Sequence, residues 1–244
     1  MRVRLTLLPI RDEEILTIPL DFRHHFISLL KSLLSDSLLF RRFTEEKPGY
    51  SPYVFTVGFK DIVIINGLSE QMLIKTPVNL TISTGLFNVM TDICNGAIKM
   101  RHQNTVLGLK IQDVHLMPLY QIKSSHVEFR TIGHAIFRSP ERYLDGSDLY
   151  QLEESINYHL ITKACFLNKF FGPNNFSNDI GKVSLLPETR FRKGVCSHYG
   201  GKITSLQGHF ILKGSPKSLQ FLYDYGIGTR TGQGFGMLEV VQEL

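Results

Sequence analysis

Five glycines fall within eleven residues near the end of the chain, in the stretch GIGTRTGQGFG from Gly226 to Gly236. Glycine loses more conformational entropy on folding than any other residue, so five of them together indicate tight turns or a close approach of the backbone to another group. The stretch follows a predicted helix and precedes a predicted strand. We therefore expect this backbone to turn tightly or to lie in close contact with another part of the protein or with a ligand.

The spacing of these glycines argues against two common nucleotide-binding motifs. A GxxxxGK[ST] loop needs a lysine directly after a glycine, and no glycine of this stretch is followed by one. A dinucleotide-binding fingerprint follows a strand and opens a helix, whereas this stretch has the opposite order. Two interpretations remain: a loop of backbone N–H groups that binds an anion around Arg230, or a packing loop between the last helix and the last strand.

The composition is that of an ordinary globular protein. The 244 residues are 43% hydrophobic and 20% charged, and no apolar run reaches the roughly 18 residues of a membrane span. The start, MRVRLTLLPIRDEE, lacks the continuous apolar segment of a signal peptide. Three widely spaced cysteines without a CxxC pair favour a reducing cytoplasm over a disulfide framework or a metal site. A net charge of +5 mildly favours a polyanionic partner such as nucleic acid.

The first half is predicted to have the element order β-α-β-β-α-β. Alternation of apolar and polar residues predicts a strand over 2–8, and the apolar residues after Asp21 fall on one face of a helix that Asp21 would cap. Further elements are predicted from the same periodicities. They are a strand pair over 53–59 and 61–67, a helix over 78–95 and a strand over 105–117.

The second half repeats this order without a close repeat of sequence. The predicted elements are a strand over 126–137, a helix over 147–171 with Ser147 as N-cap, strands over about 181–193 and 202–213 around the turn HYGG, a helix from Ser215 to Gly226 and a final strand. The sequence therefore predicts an α+β protein of two tandem ferredoxin-like domains, residues 1–120 and 121–244, with a central cleft and a C-terminal glycine-rich loop.

The helix ending in LYDYGIG and the following TRTGQGFGMLEV resemble the C-terminus of the CRISPR-associated endoribonucleases that cut repeat RNA, within the repeat-associated mysterious protein superfamily. The opening MRVRLTLLP with LTIPLDF, the strand YVFTVGF and the segment RKGVCSHYGGKITSLQGHFILKGSP are similar in kind and position. The resemblance implies binding of CRISPR repeat RNA and cleavage by attack of a 2′-hydroxyl on the adjacent phosphate, without a metal or cofactor. Other CRISPR effector subunits and a second copy of the chain are further partners to consider.

The chain departs from this family pattern at the general base. The family usually carries a histidine between the first helix and a Gly-Tyr pair, and a tyrosine on that helix. The segment SDSLLFRRFTEEKPGYSP keeps Gly49 and Tyr50 but has no histidine, and Lys31 stands about where the tyrosine would be. Two functions follow: an endoribonuclease, or a relative that binds repeat RNA without cutting it or serves as a subunit of a larger ribonucleoprotein.

The candidate site residues are those that could transfer a proton, stabilise a phosphorane or contact phosphates. The catalytic candidates are His24, Lys31, Lys47 and Tyr50. The RNA-binding candidates are Arg41, Arg42, Arg190, Arg192, Lys193, Lys202, Gly228, Arg230, Gly232 and Gly234. A merely solvated helix face or hairpin tip is the alternative for several of them. The other histidines, including His134 and His159, are expected to be structural.

Overall fold

The computed structural model describes residues 1–11, 13–38, 40, 49–171 and 180–244. Each half of the chain forms one antiparallel sheet, and a continuous cluster of buried apolar side chains runs through both halves. The protein is thus of the α+β class that the sequence predicted. No helix of the described part is long and apolar enough to cross a membrane.

The first half contains a sheet of six strands. Its elements are β1 Arg2–Pro9, β2 Ile15–Pro19, α1 Arg23–Leu33, β3 Val54–Asn66, β4 Gln71–Ser83, α2 Phe87–Lys99, β5 Asn104–Val106 and β6 Leu109–Leu116. Strand β4 pairs with β1, β2 and β3, while β6 pairs with β1 and β5. Strand β1 lies between β4 and β6, and its alternating residues Val3, Leu5 and Leu7 point to the face of the sheet that packs in the core, where they are fully buried.

The hairpin of β3 and β4 differs from the sequence prediction. Residues 53–59 and 61–67 do not form two strands; one strand of thirteen residues, β3, covers them and pairs with β4. The predicted helix over 78–95 begins only at Phe87. Val78, Leu80 and Ile82 are buried at every second position, which is the period of a strand. The chain is therefore a strand up to Ser83, and the residues at helical spacing form the helix from Phe87 onward.

The second half forms a sheet of five strands. Its elements are β7 His126–Thr131, α3 Leu149–Phe171, β8 Ser184–Leu185, β9 Arg190–His198, β10 Gly201–Lys213, α4 Pro216–Tyr225, a 3₁₀ turn Thr231–Gln233 and β11 Leu238–Glu243. Strand β10 pairs with β7, β8 and β9, and β11 pairs with β7. Residues 117–125 connect the two sheets.

Local hydrogen bonds confirm one predicted helix start in this half and correct another. Ser215 caps α4, since its Oγ accepts from the Ser218 amide. Helix α3 is capped by Asp148 rather than Ser147, because the Asp148 carboxylate accepts from the Gln151 amide at 3.0 Å. The strand that enters the HYGG turn is β9, not residues 181–193; Tyr199 and Gly200 turn the chain with φ of 49° and 72°.

Nitrogen donors from both halves hold the last turn of α4. Arg2 Nη2 donates to the carbonyl oxygen of Tyr223 at 3.0 Å, and Lys163 Nζ donates to that of Tyr225 at 2.8 Å. The ammonium group of Met1 lies 3.2 Å from the Asp224 carboxylate. Since the end of a helix carries partial negative charge and carbonyls without helical partners, these contacts stabilise α4 and join it to the first half.

Candidate functional site

The glycine-rich stretch is a buried loop between the two halves. Gly228, Gly232 and Gly234 are all buried. A Cβ at Gly228 would lie 2.3 Å from the Ile136 carbonyl oxygen, one at Gly232 would lie 1.7 Å from Ser51 Oγ, and one at Gly234 would lie 3.0 Å from the Phe55 ring. Packing therefore explains these glycines, as the second interpretation had it. Anion binding by their backbone stays a prediction.

Arg230 is the cation in the middle of this loop. Its backbone is left-handed, with φ of 58°. The guanidinium donates to Gln233 Oε1 and to the Tyr143 hydroxyl, both at 3.0 Å. Arg230 is thus fixed in place while remaining partly exposed.

His24 and His198 approach one carboxylate from opposite halves. Asp21 was predicted to cap α1, but the N-cap position is held by Phe22 without a side-chain hydrogen bond. The Asp21 oxygens instead lie 3.6 Å from His24 Nδ1 and 3.6 Å from His198 Nδ1. We call Asp21, His24, His198, Arg230 and Gln233 the junction site.

Three atoms of the junction site are buried and lack a hydrogen-bond partner in the described part of the chain: Asp21 Oδ1, His24 Nδ1 and His198 Nδ1. His198 Nε2 lies 2.9 Å from Gln233 Oε1, and because that oxygen can only accept, Nε2 carries the proton. Burial lowers the pKa of His198. The Asp21 carboxylate therefore lies between two histidine Nδ1 atoms, one from each half of the chain.

Aromatic rings and a buried cation surround the junction site. The His24 ring lies 3.9 Å from His25 and 6.2 Å from Tyr199, between centroids. The Arg23 guanidinium lies over the rings of Phe22 and Phe235, at 4.7 and 4.6 Å. Tyr199 is 61% exposed, so it offers a flat surface beside His24.

Arg190 and Arg192 line an open groove of about 430 Å³ on the second sheet. They share one strand face, as the alternation predicted, and Arg130 and His209 stand across from them. Glu239 and Glu128 pair with those two residues. Burial, followed by the positive charges of Arg23 and Arg192, lowers the pKa of nearby His134 to about 4.

The remaining predicted residues are placed apart from these groups. Lys193 points to the other side of β9 and pairs with Asp145 at 3.2 Å, and Lys202 is exposed beside the HYGG turn. Lys31 is exposed in the last turn of α1. Arg41, Arg42 and Lys47 lie outside the described residues.

Tyr50 belongs to a second polar cluster that the sequence did not reveal. Its hydroxyl lies 3.0 Å from His159 Nδ1, and Lys163 Nζ lies 5.9 Å from the centre of its ring. Lys163 is fully buried, where it donates to the carbonyl of Tyr225 and to Thr231 Oγ1 at 2.6 Å. The sequence predicts a structural role for His159, because a single histidine in a helix carries no distinguishing pattern.

We expect Lys163 to make folding stability depend on pH. Burial lowers its pKa from 10.5 to about 7, so between about pH 7 and 9 the folded protein binds fewer protons here than the unfolded chain does. Stability therefore rises with pH across this range, by up to about 1.4 kcal/mol per unit. Urea unfolding of wild type and Lys163→Met across this range should show the wild type gaining stability relative to the variant.

Lys169→Met is the matched control for this measurement, since Lys169 is an exposed lysine of the same helix. Its unfolding free energy should follow that of the wild type at every pH. The same pH slope in Lys163→Met and wild type would show that Lys163 is ionised throughout.

The fold of two antiparallel sheets is shared with CRISPR-associated proteins of known structure. The C-terminal family model of the CRISPR-associated protein Cas6 matches residues 117–240, just over half of the chain. The chain belongs to the Cas6 family, which processes CRISPR repeat RNA. No curated protein matches it in sequence.

Solved structures share the fold over almost the whole chain at low identity. The product of a Cas6-related gene from Pyrococcus furiosus has a TM-score of 0.77 at 17% identity, covering 100% of this chain and 99% of that one. A RAMP protein that binds different RNA substrates has the same score and identity, covering 99% and 100%. A Cas6 of Thermus thermophilus, solved as a product complex, has a TM-score of 0.68 at 15% identity, covering 98% and 99%.

Proposed function

We propose that this chain binds CRISPR repeat RNA and cleaves it into guide RNAs, with the RNA's own 2′-hydroxyl attacking the adjacent phosphate. The observation that carries the proposal is the junction site, where His24 stands against Asp21 near the fixed Arg230. A positioned imidazole can take the hydroxyl proton. Fixed cations stabilise the charge that develops on the phosphorane.

Within this proposal His24 is the general base and Asp21 is its positioning residue. The 3.6 Å between them exceeds a hydrogen bond, but catalytic hydrogen bonds are often long before the substrate binds and tighten in the complex. Tyr50 is the proposed proton donor, and because burial raises the pKa of its hydroxyl, that hydroxyl carries a proton at neutral pH. Lys31 and Lys47 are the other proposed catalytic residues, as cations that stabilise the phosphorane.

The RNA is proposed to follow the groove of the second sheet toward the junction site. Arg190 and Arg192 lie in that groove, and arginine binds phosphates in a bidentate way. The other proposed contacts come from the glycine-rich loop and from cations outside the groove. They are Arg41, Arg42, Lys193, Lys202, Arg230 and the backbones of Gly228, Gly232 and Gly234.

We further propose that residues 1–120 and 121–244 are two ferredoxin-like domains. The main strands of the first sheet follow the order β3-β4-β1-β6, and those of the second follow β9-β10-β7-β11. In each half the order along the sheet is therefore second, third, first and fourth strand. This shared order supports a duplication.

Replacing Arg192 with alanine should weaken binding of repeat RNA and reduce its salt dependence. One lost phosphate contact removes about 0.7 from the slope of log affinity against log salt for a single strand. Fluorescence anisotropy at several salt concentrations measures both effects. Lys213→Ala removes the same charge from an exposed position on β10 and should keep the wild-type slope. Equal slopes for Arg192→Ala and wild type would place the RNA elsewhere.

A second candidate function is RNA binding without cleavage, as a subunit of a larger CRISPR complex. It is favoured by the lack of a histidine in residues 35–52, where the resembling nucleases carry one. In that case the partners would include other effector subunits or a second copy of the chain. Tight binding of repeat RNA without any cleavage would support this candidate.

A further inference from the structure

A second groove opens along helix α3, separate from the groove that holds Arg190 and Arg192. Its volume is about 830 Å³. Its walls are residues 138–142 on one side and Gln151, Glu154, Ser155, Tyr158 and His159 of α3 on the other. A volume of this size is typical of sites for small organic ligands.

Tyr158 provides an exposed aromatic surface in this groove. Its ring is 64% exposed, and the ring of His159 meets it edge-on at 5.2 Å between centroids. Because Tyr158 sits on a long helix, its backbone is held in place. Exposed rings of this kind stack unpaired nucleobases.

The polar groups of the groove suit the edge of a base better than a phosphate. Two arginines, Arg138 and Arg142, are balanced by Glu141 and Glu154, so the groove has little net attraction for anions. His159 adds no charge, since burial lowers its pKa to about 4 and Tyr50 holds its Nδ1. A carboxylate such as that of Glu154 accepts hydrogen bonds from exocyclic amino groups.

One tyrosine links this groove to the junction site. The Tyr143 hydroxyl accepts from Arg230 at 3.0 Å, while the Arg138 guanidinium lies 5.7 Å from the centre of the same ring. A strand held at Arg230 could therefore continue past Tyr143 to Arg138 along a surface of fixed side chains.

We infer that the groove along α3 binds one or two unpaired nucleotides of the same RNA, with a base stacked on Tyr158 and the amino group of that base donating a hydrogen bond to the Glu154 carboxylate. The inference rests on the proposed function and adds a subsite to it. Adenine, cytosine and guanine carry such an amino group and uracil does not. The subsite therefore selects against uridine at one unpaired position next to the nucleotides held at the junction site.

The test measures the affinity of wild type and Tyr158→Ala for repeat RNA by fluorescence anisotropy. Loss of one stacked base should weaken binding about 5- to 150-fold. The salt dependence should stay that of the wild type, because no phosphate contact is removed. Phe87→Ala is the control, since Phe87 is another exposed aromatic residue, at the start of α2, and this variant should bind like the wild type.

A second measurement replaces each unpaired nucleotide of the RNA by uridine in turn. Wild type should lose affinity at one position, and Glu154→Ala should no longer distinguish the bases there. If wild type binds repeat RNA and Tyr158→Ala binds it equally well, the subsite is wrong while the proposed function stands. A reduced salt slope in Tyr158→Ala would also overturn stacking. If wild type binds no repeat RNA, the proposed function itself fails, and the subsite with it.

Discussion

Gly228→Ala should destabilise the protein by about 3 kcal/mol or more, because two costs combine at this position. The backbone has φ of 75°, which costs a residue with a Cβ about 1–2 kcal/mol. The new Cβ would also lie 2.3 Å from the Ile136 carbonyl oxygen, and such overpacking typically costs about 1–3 kcal/mol. Thermal unfolding should show a lower Tm by about 6–12 °C for a chain of this length.

Gly108→Ala separates the two costs. Gly108 has φ of 74°, but a Cβ there would meet no atom within 4 Å. This variant should therefore lose only the backbone part, about 1–2 kcal/mol. If the two variants lose the same free energy of unfolding, the close contact between Gly228 and the Ile136 carbonyl adds no cost of its own.

His24→Ala should slow cleavage of repeat RNA about 10²–10⁴-fold, the usual contribution of a positioned acid–base group. RNA affinity should change little, since the phosphates are proposed to bind the arginines. Single-turnover cleavage in EDTA measures the rate. With wild type, cleavage should persist in EDTA and stop when the nucleotide before the cut is 2′-deoxy, because the nucleophile is then missing.

Two variants help to interpret this result. His115→Ala removes an exposed histidine of β6 and should cleave at the wild-type rate, whereas Asp21→Asn should slow cleavage by loosening His24. If His24→Ala cleaves like the wild type, His24 is not the base, and Lys31, Lys47 and Tyr50 remain the candidates. If the wild type binds repeat RNA but never cuts it, the non-catalytic alternative takes the place of the nuclease.

Elements defined by local patterns could be predicted from the sequence. The buried face of β1 follows from strict alternation, and that of α1 follows from apolar residues at helical spacing, such as Phe26 and Leu30. Helix α4 follows from Ser215 at its start and Gly226 just past its end. In each case the deciding interaction joins residues a few positions apart.

The hairpin of β3 and β4 and the role of Asp21 could not be predicted in this way. Asp21 has the residue type and position of an N-cap, yet its carboxylate lies near His198, which belongs to the other half of the chain. The Tyr50 and His159 side chains meet across 109 positions of sequence. Contacts between residues so far apart in sequence depend on how whole helices and strands pack, so no local sequence pattern predicts them.

The glycine-rich stretch separates what the sequence alone determines from what only the tertiary structure determines. Five glycines in eleven residues established by themselves that the backbone must turn sharply or approach another group closely, because no other residue type tolerates both. Only the tertiary structure decided which groups come close: the Ile136 carbonyl, Ser51 and the Phe55 ring. A glycine in the sequence indicates a position with no room for a side chain. Which atoms occupy that room depends on how the two sheets pack against each other.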